Sequence, residues 1–160
     1  HDRFERVIHL GTFNASPLAA AAGIVVLKQV ATGDPIRRAN EMAQKIRENF
    51  DGVLERHRVA GYVYGRCSTF HVYFETDPNR IKQASTRQDL TTTDAKRLKG
   101  MPGKLVTEYQ RHLRHHGVDL MSSTGGVLCA AHTQEDIAHA TQAFEQTIAA
   151  LLEQKLIHTL

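Results

Sequence analysis

His9-Leu10-Gly11-Thr12-Phe13-Asn14-Ala15-Ser16-Pro17-Leu18, running straight into Ala19-Ala20-Ala21-Ala22-Gly23-Ile24, places a hydroxyl and open backbone donors in a tight loop ahead of a small-faced helix. A phosphate dianion favours backbone N–H groups, a hydroxyl and a helix N-terminus, and Gly11 and Thr12 could supply the first two. The same residues also read as a plain turn at Gly11 with Thr12 and Ser16 capping the helix. On the loop alone both readings stand. Ser16 followed by Pro17 predicts an N-cap and a first-turn proline, because proline lacks a donor that this position cannot use. The helix should run to about Val30.

Outward from the loop, Thr32-Gly33-Asp34-Pro35 stops that helix and starts another. In the second, Ile36, Ala39, Ala43, Ile46, Phe50, Val53 and Leu54 recur at helical spacing. From Val59 to Phe74 the pattern changes to Tyr62, Tyr64, Phe70, Val72 and Phe74, with Gly61 and Gly65 between them, which predicts two short strands meeting near Arg66-Cys67-Ser68. Glu75 to Thr93 has neither period and reads as a surface loop. Lys104 to His116 is helical again, with Leu105, Val106, Tyr109 and Leu113 inward and Gly117 as its stop. Val118-Asp119-Leu120-Met121 and Val127-Leu128-Cys129-Ala130-Ala131 are strand candidates around a turn at Ser122 to Gly126. Thr133 then caps a last helix with Glu135 and Asp136 in its first turn and Ile137, Ala140, Phe144, Ile148 and Leu151 inward. The expected order is helix, helix, strand, strand, helix, strand, helix.

With 160 residues the chain is long enough for one domain with a real core, burying roughly 70% of its unfolded surface. The formal net charge is +3, and the arginines are spread along the chain among acids. No aromatic-basic stripe accompanies that charge, so no nucleic-acid partner is expected. No apolar run approaches the ~20 residues of a membrane span. The start His1-Asp2-Arg3-Phe4-Glu5-Arg6 is charged rather than signal-like. Cys67 and Cys129 lack metal-type or redox spacing, which suits reduced thiols in a cytoplasmic protein. Neither has an adjacent base or cationic helix start, so no nucleophilic role is expected of them. His112, His115 and His116 lie on neighbouring turns, but no Cys or carboxylate ligand joins them, and they read as surface histidines rather than a metal site. His132, just before the last cap, reads as structural, and Arg66 beside the strand turn as a solvated arginine.

The Gly11-Thr12 to Pro17-Leu18 loop resembles the Gly-Thr-x-x-x-Asn-Pro-Leu loop of class III aminotransferases, which bind pyridoxal 5'-phosphate (PLP). The resemblance extends through the long second helix and the Gly-rich strand pair. Its far end is Gly117-Val118 followed by His132-Thr133-Gln134-Glu135-Asp136-Ile137, similar to the ending of glutamate-1-semialdehyde aminomutases and their aminotransferase relatives. It implies an α+β fold: the small C-terminal domain of a fold type I PLP-dependent transferase, an antiparallel sheet with helices on one face, preceded by a connecting helix. Residues 1–33 would be an arm with the phosphate-contact loop and the connecting helix, and residues 34–160 the small domain. The loop threonine of the family contacts the cofactor phosphate across a homodimer interface, so its counterpart is Thr12, with Gly11 the adjoining backbone donor.

The sequence departs from the pattern at Ala15 and Ser16, where the family usually has Gly and Asn, and at Thr124, where the aminomutases carry a glutamate near the substrate. The family's chemistry also needs a lysine that holds the cofactor, an aspartate beneath the pyridine nitrogen and a phosphate loop, all normally upstream of the Gly-Thr loop. No lysine from Lys28 to Lys155 sits in such a motif. The expectation is therefore a C-terminal part of an aminotransferase or aminomutase that passes an amino group between a small-molecule amino donor and a carbonyl acceptor. Alone it should be inactive, with PLP bound mainly by an upstream region. The rival expectation is a free-standing α+β interaction or regulatory module without cofactor.

Overall fold

The computed structural model describes residues 11–14, 16–121 and 123–160, and divides the chain into two compact units, 1–35 and 36–160. His9, Leu10 and Ala15 of the loop, and Ser122 of the expected turn, lie outside the described residues. In the first unit α1 spans Pro17–Val30, with Ser16 at the N-cap and Pro17 in the first turn, as expected. It ends at a turn in which Gly33, with φ +78°, donates its N–H to Val30 O at 2.9 Å.

The second unit is built on helices α2 (Asp34–Arg56), α5 (Gly103–His115) and α6 (Gln134–Glu153) and a sheet of β1 (Gly61–Tyr64), β2 (Thr69–Phe74) and β3 (Gly125–Val127). Helix α2 belongs to it from Ile36 onward. All strand pairs are antiparallel in the order β1-β2-β3, with Val63 opposite Val72 and Phe70 opposite Gly126. Strand alternation sends Phe70, Val72 and Phe74 into one core with the buried faces of α2, α5 and α6. The opposite face carries Tyr62, Tyr64, His71 and Tyr73, with ring centroids 5.3 Å apart for Tyr62–Tyr73 and 5.2 Å for Tyr64–His71. The expected α+β layering, with helices on one face, is the observed one.

An aromatic chain joins the sheet to the helices. Phe50 of α2 stacks on Phe144 of α6 at 4.0 Å and meets Phe70 of β2 edge-on at 5.5 Å. Phe144 in turn meets Tyr109 of α5, which meets Phe74 of β2. Each such pair contributes about 0.5–1.5 kcal/mol beyond its area. Within the helices the inward positions hold at Ala39, Ala43, Ile46, Phe50, Val53 and Leu54, and at Leu105, Tyr109 and Leu113. Ile36 is an exception: it is 51% exposed, because it lies in the first turn of α2, ahead of the buried stripe that begins at Ala39.

The three long helices of the second unit end alike. After each, a residue with positive φ (Arg58, Gly117 or Lys155) lets the next amide reach back, Val59 N to Leu54 O, Val118 N to Leu113 O and Leu156 N to Leu151 O, all at 2.9 Å. This is the Schellman ending, which satisfies otherwise orphaned carbonyls. Gly117 was legible as a stop.

Three expectations fail, among them the strand Val127–Ala131, of which only Val127 lies in the sheet. Residues 75–93 are not a plain loop: α3 (Pro78–Gln83) is capped by Asp77, a 3-10 turn spans Arg87–Leu90, and α4 (Ala95–Lys99) follows. Arginines rather than an apolar stripe fix this stretch, so it has no period to read. Val118–Met121 forms no strand, and β3 instead uses Gly125 and Gly126, the residues read as turn. A Cβ on Gly125 would stand 2.2 Å from Phe70 O, so β2 and β3 approach as closely as they do because no side chain intervenes. From Leu128 onward the chain leaves the sheet, with Leu128 N still donating to Ser68 O at 2.8 Å.

At the start of α6 the Thr133 hydroxyl accepts from Asp136 N at 3.2 Å, while Thr133 N donates to the Asp136 carboxylate at 2.7 Å. These donors, led by the Thr133 amide, hold the Asp136 carboxyl below its usual value. The unfolded chain therefore binds this proton more readily than the folded one, so the cap's contribution is present above the ordinary carboxylate pKa of about 4 and is lost as pH falls through the lowered value. Melting temperatures followed between about pH 6 and pH 2 should show a flatter acid limb for Asp136→Asn than for the wild type. Tyr109 is fully buried, and its hydroxyl has no hydrogen-bond partner among the described residues. Tyr109→Phe removes that orphaned group and should raise stability by about 1 kcal/mol in urea unfolding.

Candidate functional site

The predicted phosphate loop is a turn in front of α1. Asn14 N donates to Gly11 O at 3.2 Å, Ser16 N to Phe13 O at 3.1 Å, and Ala20 N to Ser16 O at 2.9 Å. Gly11 and Thr12 are both exposed. Ser16 stands at the N-cap, but its hydroxyl makes no capping bond, and the first turn carries no acidic residue. The amides of Leu18 and Ala19 are therefore unanswered by a side-chain cap, at the end of a helix where the peptide dipoles present positive charge. Thr12, the Gly11 amide and this helix start suit a phosphate.

The remaining sequence candidates are dispersed. Arg66 sits in the β1-β2 turn, its N–H donating to Thr69 Oγ1 at 3.2 Å and its carbonyl accepting from that hydroxyl at 2.7 Å. Thr124 is buried, and its carbonyl takes the Val72 N–H at 3.0 Å, extending the sheet by one bond. His112 Nε2 lies 3.0 Å from Gln154 Nε2, whereas His115 and His116 pack edge to face. Among the described residues no three His, Cys, Asp or Glu groups converge as metal ligands. His132 and Cys129 overturn an expectation: Cys129 Sγ lies 3.2 Å from His132 Nδ1, so this thiol does have an adjacent base. The Cys-x-x-His spacing was the available signal.

A buried ionic cluster escaped the sequence reading. Glu75, 1% exposed, accepts from the amides of Thr76 and Asp77 and from Tyr73 OH, all at 3.0 Å, and pairs with the Arg80 guanidinium. Arg97 approaches it at 3.7 Å. Burial first, and then the Glu75 charge, push the Tyr73 phenol up to about 12. These groups border a polar cleft of about 350 Å³ with Asp77, Lys96 and Arg97 on its wall. A third arginine, Arg87, donates to the carbonyls of Gly61 (3.0 Å) and Asp51 (3.2 Å) and pairs with the carboxylates of Asp51 and Glu55. The cluster joins residues 73–80 to the distant Arg97, and the burial of Glu75 is not visible in local spacing. Removing one member of a buried pair leaves the other charge uncompensated, so Arg80→Ala should lower stability by about 3 kcal/mol in denaturant titration.

Comparison with known proteins places the chain. No family model matches it. It is 30% identical over 145 residues to glutamate-1-semialdehyde 2,1-aminomutase of Pyrobaculum aerophilum, covering 91% of this chain and 30% of that protein. It is 28% identical over 148 residues to the enzyme of the same name from Methanopyrus kandleri, covering 91% and 31%. Among solved structures, an omega-transaminase from Sphaerobacter thermophilus superposes with TM-score 0.65 at 22% identity, over 89% of this chain and 30% of that one. A transaminase with PLP bound superposes with TM-score 0.68 at 18% identity, over 96% and 32%. The chain thus spans about a third of the length of the relatives it matches. The resemblance first read from the Gly-Thr loop and the terminal His-Thr pattern holds over nearly the whole chain, and the fold is one shared with these transaminases.

Proposed function

We propose that this chain is the C-terminal portion of a PLP-dependent class III aminotransferase or aminomutase. The observation that carries the reading is similarity to aminomutases over 91% of the chain, joined to a transaminase fold. The rival module is disfavoured by α1. Leu18, Ile24, Val25, Val26 and Leu27 are more than half exposed, and no residue of the helix is buried. A helix that is apolar on all sides belongs inside a larger protein, and here the rest of the enzyme and a second subunit of a homodimer would cover it.

In this reading residues 1–33 are the arm and connecting helix, and residues 34–160 the small domain. Gly11 N–H and Thr12 Oγ1 would hold the cofactor phosphate, with the uncapped start of α1 adding its dipole. The lysine that carries the cofactor lies outside this chain, which alone is inactive. When bound, PLP supplies the electron sink for moving an amino group between an amino acid or amine and a carbonyl compound. The second unit forms part of the wall that orients those small molecules and excludes water. Thr124 offers no carboxylate at the aminomutase glutamate position, so amino transfer to a separate acceptor stands beside the mutase reaction. The protein is cytoplasmic in this reading. Among the described residues no helix is long and apolar enough to cross a membrane.

Borohydride reduction of the native gene product, followed by intact and peptide mass analysis, tests the proposal. One pyridoxyl group on a lysine outside residues 1–160 is the expected result, and a product without the adduct sinks it. In the full enzyme Thr12→Ala should weaken PLP retention about tenfold, the cost of one hydrogen bond to a charged group. Unchanged retention removes Thr12 from the site.

A further inference from the structure

The turn between β3 and α6 sets a thiol against an imidazole. His132 N donates to Cys129 O at 3.2 Å, closing a four-residue turn, and Thr133 begins the α6 cap immediately after it. Within this turn His132 Nδ1 receives the Cys129 amide at 3.0 Å and faces Cys129 Sγ at 3.2 Å. An amide N–H can only donate, so Nδ1 is the lone-pair nitrogen and the neutral ring carries its proton on Nε2. The same lone pair is within reach of the thiol proton. Cys129 is exposed.

His132 also lines an apolar cavity of about 300 Å³ with Ile46, Phe50, Phe70, Leu120 and Ile137. The titratable groups on that wall are His139 and Asp136 of α6 and Asp119 of the segment after α5. Asp136 is held by Thr133. The pair thus combines a nucleophile open to solvent, a base whose one lone pair takes the Cys129 amide at 3.0 Å and lies 3.2 Å from the sulfur, and an apolar recess beside the imidazole.

We propose that Cys129 and His132 form a thiol–imidazole pair that makes Cys129 a preferred covalent modification site for soft carbon electrophiles of the α-halocarbonyl type. In the reaction the sulfur forms a bond to the electrophilic carbon as the carbon–halogen bond breaks, and the bonding pair leaves with the halide. The thiol proton passes to His132 Nδ1 and then to water.

Cys67 is an internal reference. It is also exposed, in the β1-β2 turn, and its carbonyl accepts from Arg47 Nη1 at 3.0 Å, but no imidazole is hydrogen-bonded to its thiol among the described residues. An ordinary thiol is only a few per cent thiolate at pH 7, so assistance from a neighbouring base can raise an alkylation rate by about tenfold.

The test uses the full protein with limiting iodoacetamide at pH 7, and peptide mass spectrometry to read the Cys129 and Cys67 rates separately. His132→Asn is the informative variant, because Asn Oδ1 can still accept the Cys129 amide but cannot take a proton. The expected result is a wild-type Cys129 rate about tenfold above Cys67, falling to the Cys67 level in His132→Asn with Cys67 itself unchanged. Equal rates for the two thiols in the wild type, or a Cys129 rate untouched by His132→Asn, overturn the proposal. Should the variant lose its circular-dichroism signature, the wild-type comparison alone decides.

Discussion

The stack of Phe50 on Phe144 is the contact on which the second unit depends. It joins the C-terminal part of α2 to the middle of α6 with the rings nearly parallel, 2° apart, and both side chains are essentially out of water. Phe50 reaches the sheet through Phe70, and Phe144 reaches α5 through Tyr109, so one pair of rings touches every other layer of the core. Burying a ring of this size stabilises the fold by about 1.5–3 kcal/mol. Its position also sets the distance between α2 and α6, and with it the shape of the cavity whose wall includes Phe50, Phe70 and His132.

Around that apolar centre the chain from Glu75 to Gly100 is fastened differently. Arg80 and Arg97 converge on the buried Glu75, and Arg80 also donates to Leu90 O at 3.2 Å. Tyr62 OH exchanges hydrogen bonds with the Thr92 backbone, and Leu90 is fully buried beneath the turn. Charged hydrogen bonds of this kind are directional, so they hold a specific loop geometry where a few apolar contacts would leave several. The stretch meets the tyrosine side of the sheet through Tyr62 and Tyr73, and Arg87 ties it to Asp51 and Glu55 of α2. The two faces of a single three-stranded sheet are therefore stabilised by distinct physics.

The proposed phosphate site and the thiol–imidazole pair both sit where a helix begins, yet the two helix starts differ. Thr133 and Asp136 close the amides of α6 on one another, so that end is already satisfied. Ser16 leaves the start of α1 without a side-chain cap. An end that is not closed by its own side chains is the one suited to an external anion. The exposed apolar surface of α1 points to the same conclusion, since a helix so composed is completed by protein packed around it.

By itself the sequence determined α2, α5 and α6, because each states its buried stripe at a spacing of three and four, and it marked helix ends through Ser16-Pro17, Gly117 and Thr133 with Asp136. It also determined the β1-β2 pair, whose alternating aromatics separate two faces. The resemblance carried by Gly11-Thr12 and His132-Thr133 determined the kind of protein to look for. Tertiary structure alone decided the rest. Arg58 and Lys155 end helices in a conformation that favours glycine, because Val59 and Leu156 are drawn into the core behind them. Gly125 and Gly126 read as a turn until β2 lay beside them, since the need for no side chain arises only from the neighbouring strand. Glu75 becomes a buried carboxylate shared by Arg80 and Arg97 only when two separated segments meet. Local periodicity and capping are written in consecutive residues, whereas close approach and charge burial are properties of residues that the fold brings together.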